Sequence, residues 1–539
     1  MERTSCESKS LREMYSKEQE HPSARSHLNA RKSNKVSKER TDLNRKKIAE
    51  QSSKESLMLK LIGDKVKIHG HEAKASIKET KDRLKTTKPS SKNENIKHGQ
   101  KSNFLDDEGQ VKLRSALLLS PLHIWKFKDR FNSAESLGIH ETLLHHVIDN
   151  KWNKRLKHKL YKVFRGENVH VSVIGGSNTA GGGIQKDEGT TEGIFFRVIL
   201  DWWQKVITPI TGSHLKMRQI AMGGTGSDFF QYCYKSYVQE NVDLIFLEMS
   251  VNDLHDLPNQ ANLSLPPAVL YVNLFSGRSY YQGCASLEDF GQRLLSDVYN
   301  ITTFSWRDAV CPDGHHINQL GHAHIALMAI NLFRDVFLDN LNHMMKLRGL
   351  LLDSSNHVSK LLPRPMFIDR ENKIIRHPLC WTTLTPNFKR KIIKNSMEVG
   401  VMENYGFDYL HNKRIGDGEC WTESNCRADA YSGWTGKDVG AILVMSFTIP
   451  PLHYKPRTGT RSVVLATRTC WNCGIAESWL DDDIMGRKRL QGHSKYAQTL
   501  LQLVGLRVEP GDHTMSVKLV HPGYFTVVGV MLGPPDGPY

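Results

Sequence analysis

Four short clusters of glycine and polar residues stand out in this 539-residue chain. Gly175-Gly176-Ser177-Asn178-Thr179 offers a hydroxyl on a glycine-rich turn, and Gly223-Gly224-Thr225-Gly226-Ser227-Asp228 offers backbone N–H groups that a reacting carbonyl can approach with no side chain intervening. Ser250-Val251-Asn252-Asp253 supplies an amide donor. Asp313-Gly314-His315-His316-Ile317-Asn318, followed by Gly321-His322, sets a carboxylate three residues ahead of an imidazole. A serine hydroxyl is a weak nucleophile at neutral pH and needs a base to take its proton, and the oxyanion it creates needs donors aimed at it. These residue types together suit acyl transfer through an activated serine.

The surrounding periodicity predicts elements that would carry the clusters. Leu144, Ile148, Trp152, Leu156 and Leu160 recur every fourth residue up to Gly166, which reads as one helix. Val169, Val171 and Val173 alternate into the first cluster as a strand, and 192–206 resumes helical spacing. A strand at 215–222 precedes the second cluster and a helix at 227–238 follows it. The continuous apolar run 244–247 suits a central parallel strand before the third cluster. A strand at 268–275, a helix opened by Ser286 with Asp289 three residues on, and a closing amphipathic helix at 325–337 complete the alternation. The clusters thus fall after successive strands, where open α/β sheets bind their ligands.

In this arrangement the chain resembles the SGNH (GDSL-like) hydrolase and esterase superfamily over about residues 168 to 337, a family named for a Ser, a Gly, an Asn and a His in four blocks. The resemblance implies Ser177 as nucleophile, Asp313 and His316 as its triad partners, and an oxyanion hole from the N–H groups of Ser177 and Gly223 with the Asn252 amide, Gly224 being close enough to be the second donor instead. His316 would accept the serine proton and return it to the leaving alcohol while Asp313 holds the imidazole tautomer. No metal or organic cofactor is required. Gly-Gly-Ser stands where Gly-Asp-Ser is usual, and Ser250 where Gly is common, which bears on subfamily and substrate.

Each piece has a plainer reading. A glycine-rich turn can cradle phosphate, but Gly-Lys-Ser/Thr and G-x-G-x-x-G do not occur. Asn252 can cap a helix, and His315, His316, His322 and His324 can be read as a metal cluster. What favours the catalytic reading is that all four blocks occur in order on the expected elements.

After about residue 385 helical periodicity nearly vanishes. Short strand-like runs at 441–449, 462–469, 475–480, 513–520 and 525–532, separated by Gly, Pro and Asp, predict a jelly-roll-like β-sandwich. Cys470-Trp471-Asn472-Cys473 with Cys420 and Cys426 can be read as a zinc site, but the spacing favours disulfides or free thiols. Trp421, Trp434, Trp471 and Trp479 can line a sugar-stacking surface or fill the core.

Residues 1–100 carry 25 Lys and Arg against 14 Asp and Glu, so most of the net charge of +16 sits there, and Tyr15 is their one aromatic. Such a segment cannot bury enough apolar surface to offset chain entropy and is expected to be disordered. It lacks interleaved aromatics for stacking on bases, so nucleic acid is not an expected partner. No apolar run reaches the length of a membrane span and no signal peptide is visible. Eight of nine cysteines beyond residue 100, with sequons at Asn262 and Asn300, point to the secretory pathway or the extracellular space, a cytoplasmic protein with free thiols being the alternative.

The expected organisation is a disordered N-terminal region (1–119), an SGNH-type α/β domain built as a three-layer α/β/α sandwich on a parallel sheet (120–345), a connector (346–385) and a β-sandwich accessory domain (386–539). The expected activity is serine-dependent hydrolysis of carboxylic esters, on O-acetyl or other short acyl esters of carbohydrate. A lipid esterase, a sugar O-acyltransferase with the same triad and a non-catalytic carbohydrate-binding or structural protein are the alternatives.

Overall fold

The computed structural model describes residues 104–118, 147–182, 184, 193–249, 267–274, 296–297, 299–305, 317–346, 377–384, 394–410, 432–451, 459–494 and 497–534. All lie within one compact unit, Asn103–Tyr539.

Its first element corrects an expectation. Asp107–Leu118 (α1) lies inside the stretch read as disordered, yet Leu113 and Leu117 are fully buried against the main core. Phe104 and Leu105 pack there too. Two apolar residues four apart suffice to dock a helix on a preformed surface, although so short a pattern is lost within a charged segment. The remainder of 1–119 lies outside the described residues.

The chain then forms β1 (Ile148–Asp149), α2 (Lys154–Leu160), β2 (Val169–Gly175), α3 (Phe195–Val206), β3 (Leu215–Ala221), α4 (Ser227–Tyr237), β4 (Leu244–Glu248), β5 (Ala268–Asn273), β6 (Thr302–Ser305) and α5 (Gln319–Lys346). The six strands make one sheet in the order β1-β6-β5-β4-β2-β3, parallel throughout except that β1 runs antiparallel to β6, so the expected parallel sheet is a mixed one. The fourth-residue periodicity around Ile148 overstates the helix. Ile148 is a strand residue, Trp152 is exposed, and α2 starts only where the Asn153 side chain caps Arg155 and Leu156. A 3-10 turn, Tyr161–Arg165, continues from α2 and stops as expected at Gly166 in the left-handed region. The closing helix is more than twice as long as its apolar core predicted. The helix expected at Ser286 lies outside the described residues. Among those residues, no helix is long and apolar enough to cross a membrane.

Alternation along β4 assigns the two faces of the sheet. Leu244 and Phe246 enter a core with α1, α2, α3 and α5; Ile245 and Leu247 enter a second core with α4. That second core continues into the C-terminal half through Cys380, Val464, Ala466, Leu501, Val528 and Met531. On this face the third layer is therefore α4 together with a β-sheet.

The sandwich comprises β7 (Leu379–Thr382), β8 (Val399–Tyr405), β9 (Phe407–Leu410), β10 (Gly433–Gly436), β11 (Ile442–Ile449), β12 (Arg461–Arg468), β13 (Ile475–Leu480), β14 (Lys488–Gln491), β15 (Thr499–Val508), β16 (Gly511–His521) and β17 (Phe525–Gly533). One sheet runs β15-β12-β17-β10-β9 with β7 beside β17, and the other β14-β13-β16-β11-β8, every pairing antiparallel. Strand β7 falls inside the expected connector, so the sandwich begins earlier in the chain than composition suggested. All eight residues of β12 are buried because Val463 and Leu465 point into the sandwich while Val464 and Ala466 point at α4. A disulfide between Cys233 on α4 and Cys380 on β7 joins the two halves covalently.

Candidate active site

The C-terminal ends of three adjacent strands are stitched together at the first cluster. Gly175 O accepts from the Met222 N–H after β3 (3.0 Å), and the Gly176 N–H donates to Glu248 O at the end of β4 (3.3 Å). Gly175 has no alternative: a Cβ there would lie 2.0 Å from Thr179 Oγ1 and 3.1 Å from Glu248 O. The chain then turns tightly, with Gly182 N–H donating to Ser177 O (2.7 Å), Gly181 N–H to Asn178 O (2.9 Å) and Ala180 N–H to Gly176 O (3.1 Å). Ser177 is half-buried at the head of this turn. Beneath it the buried carboxylate of Glu248 accepts both the N–H (3.2 Å) and the hydroxyl (2.9 Å) of Thr179, and Gln219 donates to Thr179 O (2.8 Å).

Asn178, buried beside Ser177, extends this connection to the fourth cluster. Its Oδ1 accepts the N–H of Ile317 at 3.0 Å. Ile317 directly follows His316 in sequence. Asn318 in turn receives the Gly321 N–H on Oδ1 (3.0 Å) and so fastens the first turn of α5.

The second cluster leaves β3 as a glycine turn. Thr225 N–H closes it on Met222 O (3.3 Å), and Gly224 sits at φ +62°. A Cβ on Gly224 would lie 2.3 Å from Ala497 O in the sandwich. Among the described residues the N–H groups of Gly223 and Gly224 have no acceptor. The carbonyls are held instead: Arg468 donates to Gly223 O (3.1 Å) and the Thr499 N–H to Gly224 O (2.7 Å).

Ser177 and Gly223 are thus brought onto neighbouring turns. Asn252, Asp313 and His316 lie outside the described residues, as do Ser250, His315, Cys420, Cys426, Trp421 and Asn262. His322 is fully buried, stacked on Phe195 at 6.2 Å, and burial pushes its imidazole down to about 3, which holds it neutral as a packing residue. Among the described residues no group of His, Cys, Asp and Glu is disposed to hold a metal. Cys470 and Cys473 form a disulfide. Trp471, at 71% exposure, sits in the turn this disulfide closes, whereas Trp434 and Trp479 are half-buried on different sheets, so these three do not share one surface.

Sequence inspection missed Glu248, Arg468 and Thr499. Glu248 ends the apolar run 244–247 and carried a signal, a carboxylate where burial is expected. Arg468 and Thr499 carried none, because the groups of the second cluster that they hold are more than 200 residues away.

No family model matches this chain and no curated protein does. Among solved structures it is similar to a two-domain esterase active on acetylated mannans, at 18% identity over 72% of this chain and 99% of that one, with a TM-score of 0.47. The same esterase with mannopentaose gives 0.46, at 18% identity over 71% and 95% of the two chains. A family 35 carbohydrate-binding module from an environmental isolate matches 26% of this chain and 93% of its own at 14% identity, with a TM-score of 0.17.

Proposed function

We propose that this protein is a serine carboxylester hydrolase of the SGNH type, acting on O-acetyl or other short acyl esters of carbohydrate. The observation that most supports this reading is the union of the clusters at one end of the sheet: Gly175 to Met222, Gly176 to Glu248, and Asn178 beside Ser177 to Ile317 beside His316.

In this reading Ser177 Oγ attacks the ester carbonyl as His316 takes its proton, with Asp313 holding the imidazole and its positive charge. The N–H groups of Ser177 and Gly223, or its neighbour Gly224, and the Asn252 amide receive the oxyanion; one such donor is worth roughly 3 kcal/mol in the transition state. The tetrahedral species expels the alcohol, which takes the proton from His316, and leaves an acyl group on Ser177. Water, activated by the same imidazole, then releases the acid. No step calls for a cofactor. The sandwich supplies a surface for the alcohol part: Trp471 lies three residues beyond Arg468, which touches the second cluster, so its Cα is within about 11 Å of that arginine's along the chain.

The test is hydrolysis of p-nitrophenyl acetate, butyrate and octanoate by the full chain beside Ser177→Ala, with labelling by a fluorophosphonate. Turnover and labelling that vanish in Ser177→Ala, with acetate preferred, are the expected result. Preference for octanoate would indicate a lipid esterase. Absence of both Ser177-dependent signals would leave a binding protein.

A further inference from the structure

We infer that Arg468 and Thr499 of the β-sandwich are positioning residues for the oxyanion donor on the glycine turn, so that the active site is complete only with the sandwich docked; this rests on the hydrolase reading above. The observation is a closed ring of hydrogen bonds across the junction. Arg468 Nη1 donates to Gly223 O (3.1 Å) and to Thr499 Oγ1 (2.7 Å). Thr499 Oγ1 meets Thr225 Oγ1 at 2.8 Å, and the Thr225 hydroxyl reaches back to Gly223 O at 3.5 Å.

A guanidinium has donors only, so Thr499 Oγ1 accepts from it. With the one Thr225 hydroxyl proton directed to Gly223 O, the contact between the two threonines has Thr499 as donor and Thr225 Oγ1 as acceptor. All four groups are buried, and in such surroundings linked hydrogen bonds hold their geometry strongly.

The consequence follows from peptide geometry. Gly223 C=O and Gly224 N–H belong to one planar trans peptide and point in opposite directions. With the carbonyl drawn toward the sandwich, the Gly224 N–H is turned away from it. The next peptide is clamped as well, since Thr499 N–H holds Gly224 O (2.7 Å) and Ala497 O occupies the space a side chain on Gly224 would need. Oxyanion stabilisation depends on donors that need no reorientation during the reaction. Here that rigidity comes from residues more than 240 positions away on another domain. Of the two glycines the geometry points to Gly224 as the donor under control.

The experiment compares full-chain wild type, Thr499→Val, Thr499→Ser and Arg468→Met in p-nitrophenyl acetate hydrolysis and in the rate of fluorophosphonate labelling of Ser177, with melting temperatures alongside. Thr499→Val keeps the side-chain shape and removes the hydroxyl that links Arg468 to Thr225. The expected result is a fall in kcat of tenfold or more with KM within about twofold, a parallel slowing of labelling, and recovery in Thr499→Ser. Arg468→Met is expected to lose more; if it does not fold, the threonine pair decides. Wild-type rates in Thr499→Val would overturn the inference and leave the hydrolase reading standing. A rise in KM alone would overturn it equally. A wild type with no Ser177-dependent turnover or labelling would overturn the hydrolase reading itself.

Discussion

Asn178 Oδ1 accepts the backbone N–H of Ile317 at 3.0 Å, joining the residue after the candidate nucleophile to the residue after the candidate base. These positions are 139 residues apart in the chain and buried together, so the amide side chain acts as a clasp between two loops.

Asn178→Ala removes the acceptor and leaves the Ile317 N–H buried without it. Loss of about 1–3 kcal/mol of stability is expected from such an orphaned donor. If the clasp sets the register of the fourth cluster, kcat for p-nitrophenyl acetate falls at least tenfold in the same variant. Urea unfolding and steady-state kinetics measure the two effects separately, and an unchanged kcat would show that the loop holds its place by other means.

Gly224→Ala meets two obstacles at once, a positive φ of 62° and the Ala497 carbonyl 2.3 Å from the new methyl carbon. Accommodation requires the turn to move off the sandwich, since a backbone carbonyl cannot rotate aside like a side-chain end. The expected result is a soluble protein with Ser177 labelled more than tenfold more slowly, together with destabilisation of roughly 2–3 kcal/mol.

Cys233 and Cys380 close a loop of 147 residues between α4 and β7. Chain entropy alone assigns such a cross-link about 5 kcal/mol, and natural disulfides commonly deliver 2–5 kcal/mol when removed. Cys233→Ser and Cys380→Ser are each expected to lower stability by that range, and reduction with dithiothreitol in mild urea to reproduce the effect. Equal midpoints for wild type with and without reductant would contradict it. A disulfide so placed also suits folding in an oxidising compartment.

Asp228, in the first turn of α4, has its carboxyl pushed up to about 6 by burial, although its Oδ1 accepts the Phe229 N–H at 2.8 Å. A raised carboxyl binds its proton more tightly in the folded chain than in the unfolded one, so stability falls as pH climbs from about 4 to 6 and the loss persists above. Asp228→Asn is expected to raise the melting temperature at pH 7 and 8 and to converge with wild type below pH 4. A benefit independent of pH would assign it to something other than ionisation.

Much of this molecule is legible one element at a time. The strand at Ile475–Leu480 falls where alternation and turn residues put it, α3 lies within the helical spacing of 192–206, and the glycines of the first two clusters come at the ends of β2 and β3 as expected. Local pattern reports burial, and burial repeats every second or every third to fourth residue along a strand or helix. It fails where a short motif fits two partners: Ile148 matches a helical stripe yet pairs with Phe304, and Leu113 and Leu117 look solvated until α5 stands beside them.

What the sequence by itself determined is therefore the set of chemical groups and the strands and helices that deliver several of them to one end of a sheet. Which carbonyl each N–H would find was decided only by the tertiary structure. Arg468 and Gly223, or Asn178 and Ile317, interact because two cores close around them, and hydrogen bonds between residues so distant in the chain leave no period or spacing to read.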